Sequence, residues 1–264
     1  MRLRVAGNDV YAYTGARALD AARPTVVFVH GAVNDHSVWA LQSRYFAHHG
    51  WNALAVDLPG HGRSAGEALP RVEAIADWIV ALLDAAGAAK AALVGHSLGS
   101  LAVLDAAARH AGRVTNIALL GTVVPMPVTD LLLDAARAND HVAYEMINAW
   151  SYSPAGQLGG NQVPGMWMTG SAMRLMERAR PGVLHTDLMA CHAYAGGLAA
   201  AVAVRCPALA ILGERDLMAP VKGAQGLLAA LTGARVVTLE GCGHAMMAEE
   251  PDAVLDALAA FLPS

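Results

Sequence analysis

Six short apolar runs, spread along 264 residues, constrain this chain more than any single motif. Residues 25–29 (Thr-Val-Val-Phe-Val), 52–56 (Asn-Ala-Leu-Ala-Val), 91–94, 117–120, 208–212 and 235–239 are each four or five residues long. They read as buried strands, because a half-exposed strand alternates polar and apolar side chains. Helical stretches separate them, at roughly 38–49, 71–87, 98–111, 219–231 and 251–261. Strands alternating with helices predict an α/β fold: a mostly parallel central sheet with helices on both faces. Residues 5–13, with Gly7-Asn8-Asp9 in the middle, add a β-hairpin.

The rhythm breaks once. Between 120 and 208 lie more than 80 residues without a convincing strand. A structureless loop of that length is out of place in a compact domain. Helical patches at 129–139, 141–150, 171–180 and 185–195 fill it around a Gly/Pro-rich middle. The expected organisation is a core made of residues 1–121 and 200–264, with 122–199 as a helical lid inserted between its halves.

Composition decides what surrounds such a fold. The chain is 55% apolar and 15% charged, with mean hydropathy +0.38, against about 45–50% and about 25% in ordinary soluble domains. Disorder is excluded. A bilayer span is not predicted either: 56 residues are alanine, and the longest uncharged run, 146–173, carries Pro154, Pro164 and five glycines. A net charge of −4 argues against a nucleic-acid surface. The first residues show no apolar signal stretch. The three cysteines, Cys191, Cys206 and Cys242, have no metal-ligand spacing. A reducing cytoplasm is the expected location.

Chemistry enters with Gly95-His96-Ser97-Leu98-Gly99, set between a strand and a helix. Small residues two before and two after the serine let the turn tighten, pushing the hydroxyl out above the sheet. A serine hydroxyl is a weak nucleophile and needs a base that a third group orients. His244 and Asp216 each follow one of the last two strands, so the order is Ser97, Asp216, His244. In an open parallel sheet, ligands bind beyond the carboxyl ends of the strands, which is where all three fall. Acyl transfer also needs two preorganised N–H donors. The backbone N–H of Leu98 and that of Ala32, in Val29-His30-Gly31-Ala32, can supply them.

Together these motifs make the chain resemble the α/β-hydrolase family. His30-Gly31, Asp57-Leu-Pro-Gly-His-Gly-Arg-Ser64, Gly95-His-Ser-Leu-Gly99, Gly213-Glu-Arg-Asp216 and Gly243-His244…Glu249-Glu-Pro251 occur in that family's order and spacing. The resemblance covers about 2–121 and 200–262. It implies Ser97 as nucleophile, His244 as general base and acid, Asp216 as orienting carboxylate, and Ala32 and Leu98 as the oxyanion hole. The implied activity is that of a cofactor-free and metal-free serine hydrolase, a monomer or homodimer, cleaving a small, mainly apolar carboxylic ester. Carbon–carbon bond hydrolase, lactonase and thioesterase chemistry remain open on the same triad, as does a non-catalytic small-molecule receptor.

Neighbouring polar residues have plainer readings. Asp57 and His61 suit turn hydrogen bonding, and Asp35 and His36 suit a loop or helix cap. His96 packs or bonds locally, Cys242 is a buried inert thiol, and Glu214 is the weaker rival to Asp216. His30 either lines the pocket floor or braces the oxyanion loop. Substrate choice falls to the lid, where Trp150, Tyr152, Trp167 and Met168 are the candidate pocket wall, with Met146, Met166, Met173 and Met176 beside them. Each of these residues can equally dock the lid on the core. The lid histidines His141, His185 and His192 read as surface or satisfied groups.

Overall fold

A computed structural model describes residues 1–160, 162 and 165–262; Pro164, which interrupts the uncharged run, lies outside them. The chain opens with a hairpin, β1 (Arg2–Val5) and β2 (Asn8–Tyr13). Its turn is Ala6-Gly7, not Gly7-Asn8-Asp9. Val5 pairs with Asn8, and both turn residues have positive φ, 45° and 81°. That is the backbone of a two-residue hairpin turn whose twist matches its strands.

The remaining strands are β3 (Thr25–Val29), β4 (Asn52–Val56), β5 (Ala91–His96), β6 (Val114–Leu120), β7 (Ala208–Gly213) and β8 (Arg235–Leu239). The sheet order is β1-β2-β4-β3-β5-β6-β7-β8, parallel from β4 to β8. Strands β3, β4, β5 and β7 are buried at every residue, as continuous apolar runs require. β8 departs from that reading. It is an edge strand paired only with β7, and of its five residues only Leu239 is buried.

Among the described residues, the helices are α1 (Ala40–His48), α2 (Val72–Ala85), α3 (Leu98–Arg109), α4 (Asp130–Arg137), α5 (Val142–Ser151), α6 (Pro154–Gln157), α7 (Met168–Met176), α8 (Val183–Ala193), α9 (Gly197–Ala203), α10 (Val221–Ala230), α11 (Met246–Glu249) and α12 (Pro251–Phe261). α2, α3, α9 and α10 cover one sheet face, closing over Val27, Leu93 and Leu119. α1 and α12 cover the other, over Phe28, Val94 and Ile211. α1 starts two residues later than expected because a 3-10 turn, His36–Trp39, precedes it; Asp35 caps that turn by accepting the Ser37 N–H at 2.8 Å.

Helices α4, α5, α7 and α8 gather a separate apolar cluster around Leu132, Ile147, Met176, Leu184 and Leu188. Two residues of the core loop after β3 meet it: Val33 lies within it and Ala32 packs against it. α9 begins at Gly197 and packs instead on α3 and α10. None of these helices is long and apolar enough to cross a membrane.

The topology fixes where a site can form. From β3 the chain runs outward to β4, then returns to the other side of β3 to lay down β5. The loops leaving the carboxyl ends of β3 and β5 diverge there, opening a crevice at the switch point.

Candidate active site

Ser97 follows β5 and opens α3 with φ 53° and ψ −121°, a backbone that non-glycine residues rarely adopt. Such strain persists only where the surroundings over-determine it. The Ser97 N–H donates to the Leu120 carbonyl at 2.9 Å, and the Ser97 carbonyl accepts the Ser100 N–H at 2.9 Å. A Cβ at Gly99 would run into the Val29 carbonyl, and one at Gly95 into the Gly99 carbonyl. The two small residues of the motif are therefore required by strand–helix contact.

His244 and Asp216 meet as their positions after β8 and β7 predict. His244 Nδ1 lies 2.7 Å from Asp216 Oδ2. A carboxylate only accepts, so Nδ1 carries a proton, and in the neutral ring Nε2 holds the lone pair. That Nε2 is buried and has no hydrogen-bond partner among the described residues. Asp216 Oδ1 accepts the N–H groups of Met218 (2.8 Å) and Ala219 (2.7 Å). Burial alone would raise the Asp216 carboxyl, but His244 and these two amides outweigh it and hold it below its ordinary range. Glu214 points elsewhere, accepting the Gly241 N–H at 2.9 Å on the surface.

Ala32 follows Gly31, whose loop touches Ser97, and Leu98 directly follows that serine. Leu98 is the first residue of α3, so its N–H has no intrahelical acceptor. The Ala32 N–H is likewise free of an acceptor among the described residues. Gly31 lets this loop press on the elbow, since a Cβ there would sit 3.1 Å from Ser97 Cβ.

Two buried histidines brace the site. His30 does not line the cavity: it is fully buried, accepts the Leu58 N–H at Nε2 (3.1 Å), and so donates from Nδ1 to the Gly31 carbonyl (2.8 Å). Of the two roles open to it, bracing the oxyanion loop is the one its hydrogen bonds describe. His96 Nε2 donates to the His244 carbonyl at 2.9 Å, tying the elbow to the histidine loop. Burial, with smaller contributions from nearby histidines, pushes His30 down to about 4 and His96 to about 3, so both imidazoles are neutral.

Ser97 and His244 open on a cavity of about 700 Å³, within the range usual for small-molecule sites. Trp150, Tyr152 and Met168 line it, with Met126, Met176 and Met218 adding thioether surface. Trp167 does not line it. It is 74% exposed, and its ring folds over Gly170 one turn along α7. Met146 and Met173 pack against the apolar cluster of the helical segment. The formal charges on the described wall are Arg174 and Arg178, and no carboxylate lines it. The Cys191 thiol also lines the cavity, but burial pushes it far up, as it does Cys242.

Two functional contacts are absent from the sequence reading. Asp187, on α8, accepts the Val33 N–H and faces His61, both at 2.8 Å. Its signal is a lone carboxylate on an apolar face, with Val183, Leu184, Leu188 and Cys191 as its buried neighbours. Glu249 accepts the Gly243 N–H at 2.9 Å and the Ser153 N–H at 3.0 Å, joining the histidine loop to the start of α6. The fold also brings Asp35, His36 and Asp57 within 4.8 Å of one another. Their oxygens are already engaged: Asp57 accepts the His36 and Arg63 amides, and Asp35 accepts that of Ser37, each at 2.8 Å.

Known proteins are similar to this chain over most of its length. A model of the "Alpha/beta hydrolase family" matches residues 26–257. A pimeloyl-[acyl-carrier protein] methyl ester esterase of Chromobacterium violaceum is 32% identical over 252 residues, which is 90% of this chain and 94% of that one. Another, from Aromatoleum aromaticum, is 29% identical over 87% of this chain and 94% of its own. Among solved structures, the enol-lactonase of Burkholderia xenovorans superposes with a TM-score of 0.88 over the whole of both chains, at 24% identity. With the sheet order, the strained serine elbow and the His–Asp pair at the strand ends, these matches establish that the chain belongs to the alpha/beta hydrolase family.

Proposed function

We propose that this protein is a serine hydrolase that cleaves a small, mainly apolar carboxylic ester through an acyl-enzyme. The observation that carries the proposal is the His244–Asp216 pair: Nδ1 is held at 2.7 Å, leaving the Nε2 lone pair at the cavity wall that Ser97 shares. In this reading His244 takes the Ser97 Oγ proton as Oγ attacks the ester carbonyl. The Ala32 and Leu98 amides stabilise the oxyanion. Collapse expels the alcohol, which takes the proton from His244. Water, deprotonated by His244, then releases the acid, and Asp216 stabilises the imidazolium throughout.

The relatives named as methyl ester esterases support an ester with a small alcohol and a longer acyl chain. A cavity of about 700 Å³ with an apolar wall suits such a chain, and Arg178 at the wall suits an acyl chain ending in an anion. Residues 122–199 serve as the lid of this reading, and the enzyme acts on small molecules as a cytoplasmic monomer or homodimer. The test is turnover of p-nitrophenyl butyrate and octanoate, with fluorophosphonate labelling, in wild type and Ser97→Ala. Turnover and labelling are expected in wild type and lost in the variant. A wild-type chain that neither cleaves nor labels overturns the proposal.

A further inference from the structure

The residue after Ala32 is strained. Val33 has φ 57°, in the left-handed region that a β-branched side chain adopts only under constraint. Its constraint comes from another part of the chain: the Val33 N–H donates to Asp187 Oδ2 at 2.8 Å, across 154 residues of sequence. Asp187 is 1% exposed and sits on α8, in the helical segment above the sheet. The Val33 side chain lies in the same apolar cluster as Leu184 and Leu188 of that helix.

The same carboxylate oxygen holds a second group. His61 Nε2 lies 2.8 Å from Asp187 Oδ2, and His61 Nδ1 lies 2.9 Å from the Pro59 carbonyl. Carbonyl and carboxylate oxygens only accept, so both ring nitrogens carry protons and His61 is an imidazolium. The carboxylate that accepts the Val33 amide is thus paired with a cation, and a charge-assisted acceptor makes the stronger bond. Arg180 adds a second tie between the segments, donating to the carbonyls of Gly60 (3.2 Å) and Ser64 (3.1 Å).

We propose that Asp187 is a positioning residue for the oxyanion hole: its bond to Val33 holds the Gly31–Asn34 loop in its strained form, so that the Ala32 amide is aimed only while α8 is seated on the core. The helical segment then does more than wall the cavity. Displacing α8 removes the acceptor, Val33 relaxes, and the adjacent amide turns away from the developing oxyanion. The inference rests on the reading of Ala32 as an oxyanion donor.

The test is the pair Asp187→Asn and Asp187→Ala. The isosteric amide keeps an acceptor but no charge, and about a fivefold fall in kcat is expected, the usual advantage of a charge-assisted bond. The alanine variant, with no acceptor, is expected to lose about 10- to 100-fold, approaching removal of one oxyanion donor. In both, KM stays within about twofold, because the loop stabilises the transition state rather than the bound ester. Adding Val33→Gly to the alanine variant recovers part of kcat, since glycine takes a positive φ without help. A merely structural role would lower thermal stability and leave kcat per labelled active site unchanged. Wild-type kcat in Asp187→Asn, or a defect confined to KM, overturns the inference. Backbone amide shifts read the loop without turnover: Ala32 is expected to move in Asp187→Asn while Leu98 stays. A wild-type chain that cleaved no ester would sink the proposed function, and the shifts would still decide the loop.

Discussion

His96 donates its Nε2 proton to the main-chain carbonyl of His244, 2.9 Å away, so the residue before the elbow serine holds the loop that carries the candidate base. The base is fixed at two points, its ring by Asp216 and its backbone by His96. Neither bond involves Ser97, so both survive when the serine is removed. That separation makes each half of the arrangement testable.

Asp216→Asn is the sharpest probe of the ring. An amide presents a donor as readily as an acceptor, so His244 can flip its tautomer and place a proton on Nε2. The site keeps its shape and loses its base. A fall in kcat of about 10⁴ is expected, the size seen when a triad carboxylate becomes an amide, with KM little changed. Steady-state turnover of p-nitrophenyl butyrate checks it, and a variant within tenfold of wild type would falsify the role given to Asp216.

Glu249 is expected to matter for stability first. It is buried and accepts two amides, those of Gly243 and Ser153, from segments far apart in the chain. Glu249→Ala leaves both N–H groups buried without a carboxylate, and each such orphan costs about 1–3 kcal/mol. Urea unfolding should show a loss of about 2–6 kcal/mol, with Glu249→Gln in between. Because Gly243 precedes His244, kcat should fall as well. A variant as stable as wild type would mean that water replaces the carboxylate without cost.

The core of the site was legible because its signals are local. The serine elbow, the turn after β7 and the histidine after β8 each declare themselves within a few residues, and strand order brings them to one edge. What stayed hidden is held by contacts across distant sequence. Asp187 meets Val33 over 154 residues and Glu249 meets Ser153 over 96, so no spacing rule reaches them. Trp167 misled for the opposite reason. An aromatic residue in an apolar stretch reads as a pocket wall, yet its place just before α7 turns the ring outward over Gly170. β8 read as buried because its composition matches its neighbours; its edge position is a property of the sheet, not of the five residues.

Substrate charge is expected to be read by Arg178. Arg174 shares its charge with Glu177 at 2.7 Å, whereas Arg178 borders both the main cavity and the small cleft beside Asn34. Arg178→Gln should raise KM several-fold for an ester whose acyl chain ends in a carboxylate. The matching ester with a methyl end should be unaffected, and kcat should hold for both. Equal effects on the two esters would assign Arg178 to structure instead.

Acid should unfold this protein earlier than its carboxylates alone would require. His30 and His96 are buried as neutral imidazoles, pushed by burial to about 4 and about 3, whereas an unfolded histidine titrates near 6.5. Between pH 6.5 and about 4 the unfolded chain therefore binds protons that the folded chain refuses. Stability falls as pH falls through that window, by up to about 1.4 kcal/mol per pH unit for each such group. Asp216 acts in the same direction at lower pH: its folded carboxyl lies below its ordinary value, so its contribution is lost as pH drops through the folded value. His61 acts oppositely. Burial would lower it, but Asp187 and the Pro59 carbonyl raise it above 6.5, so its contribution is full below 6.5 and fades as pH rises through the folded value. Urea midpoints measured from pH 8 to 4 should thus fall steeply below 6.5. His96→Gln, whose amide can still donate to the His244 carbonyl but cannot titrate, should flatten that slope. A midpoint that holds level from pH 6.5 to 4.5 would show that these imidazoles are solvated in the folded protein, and the buried brace between the elbow and the histidine loop would have to be abandoned.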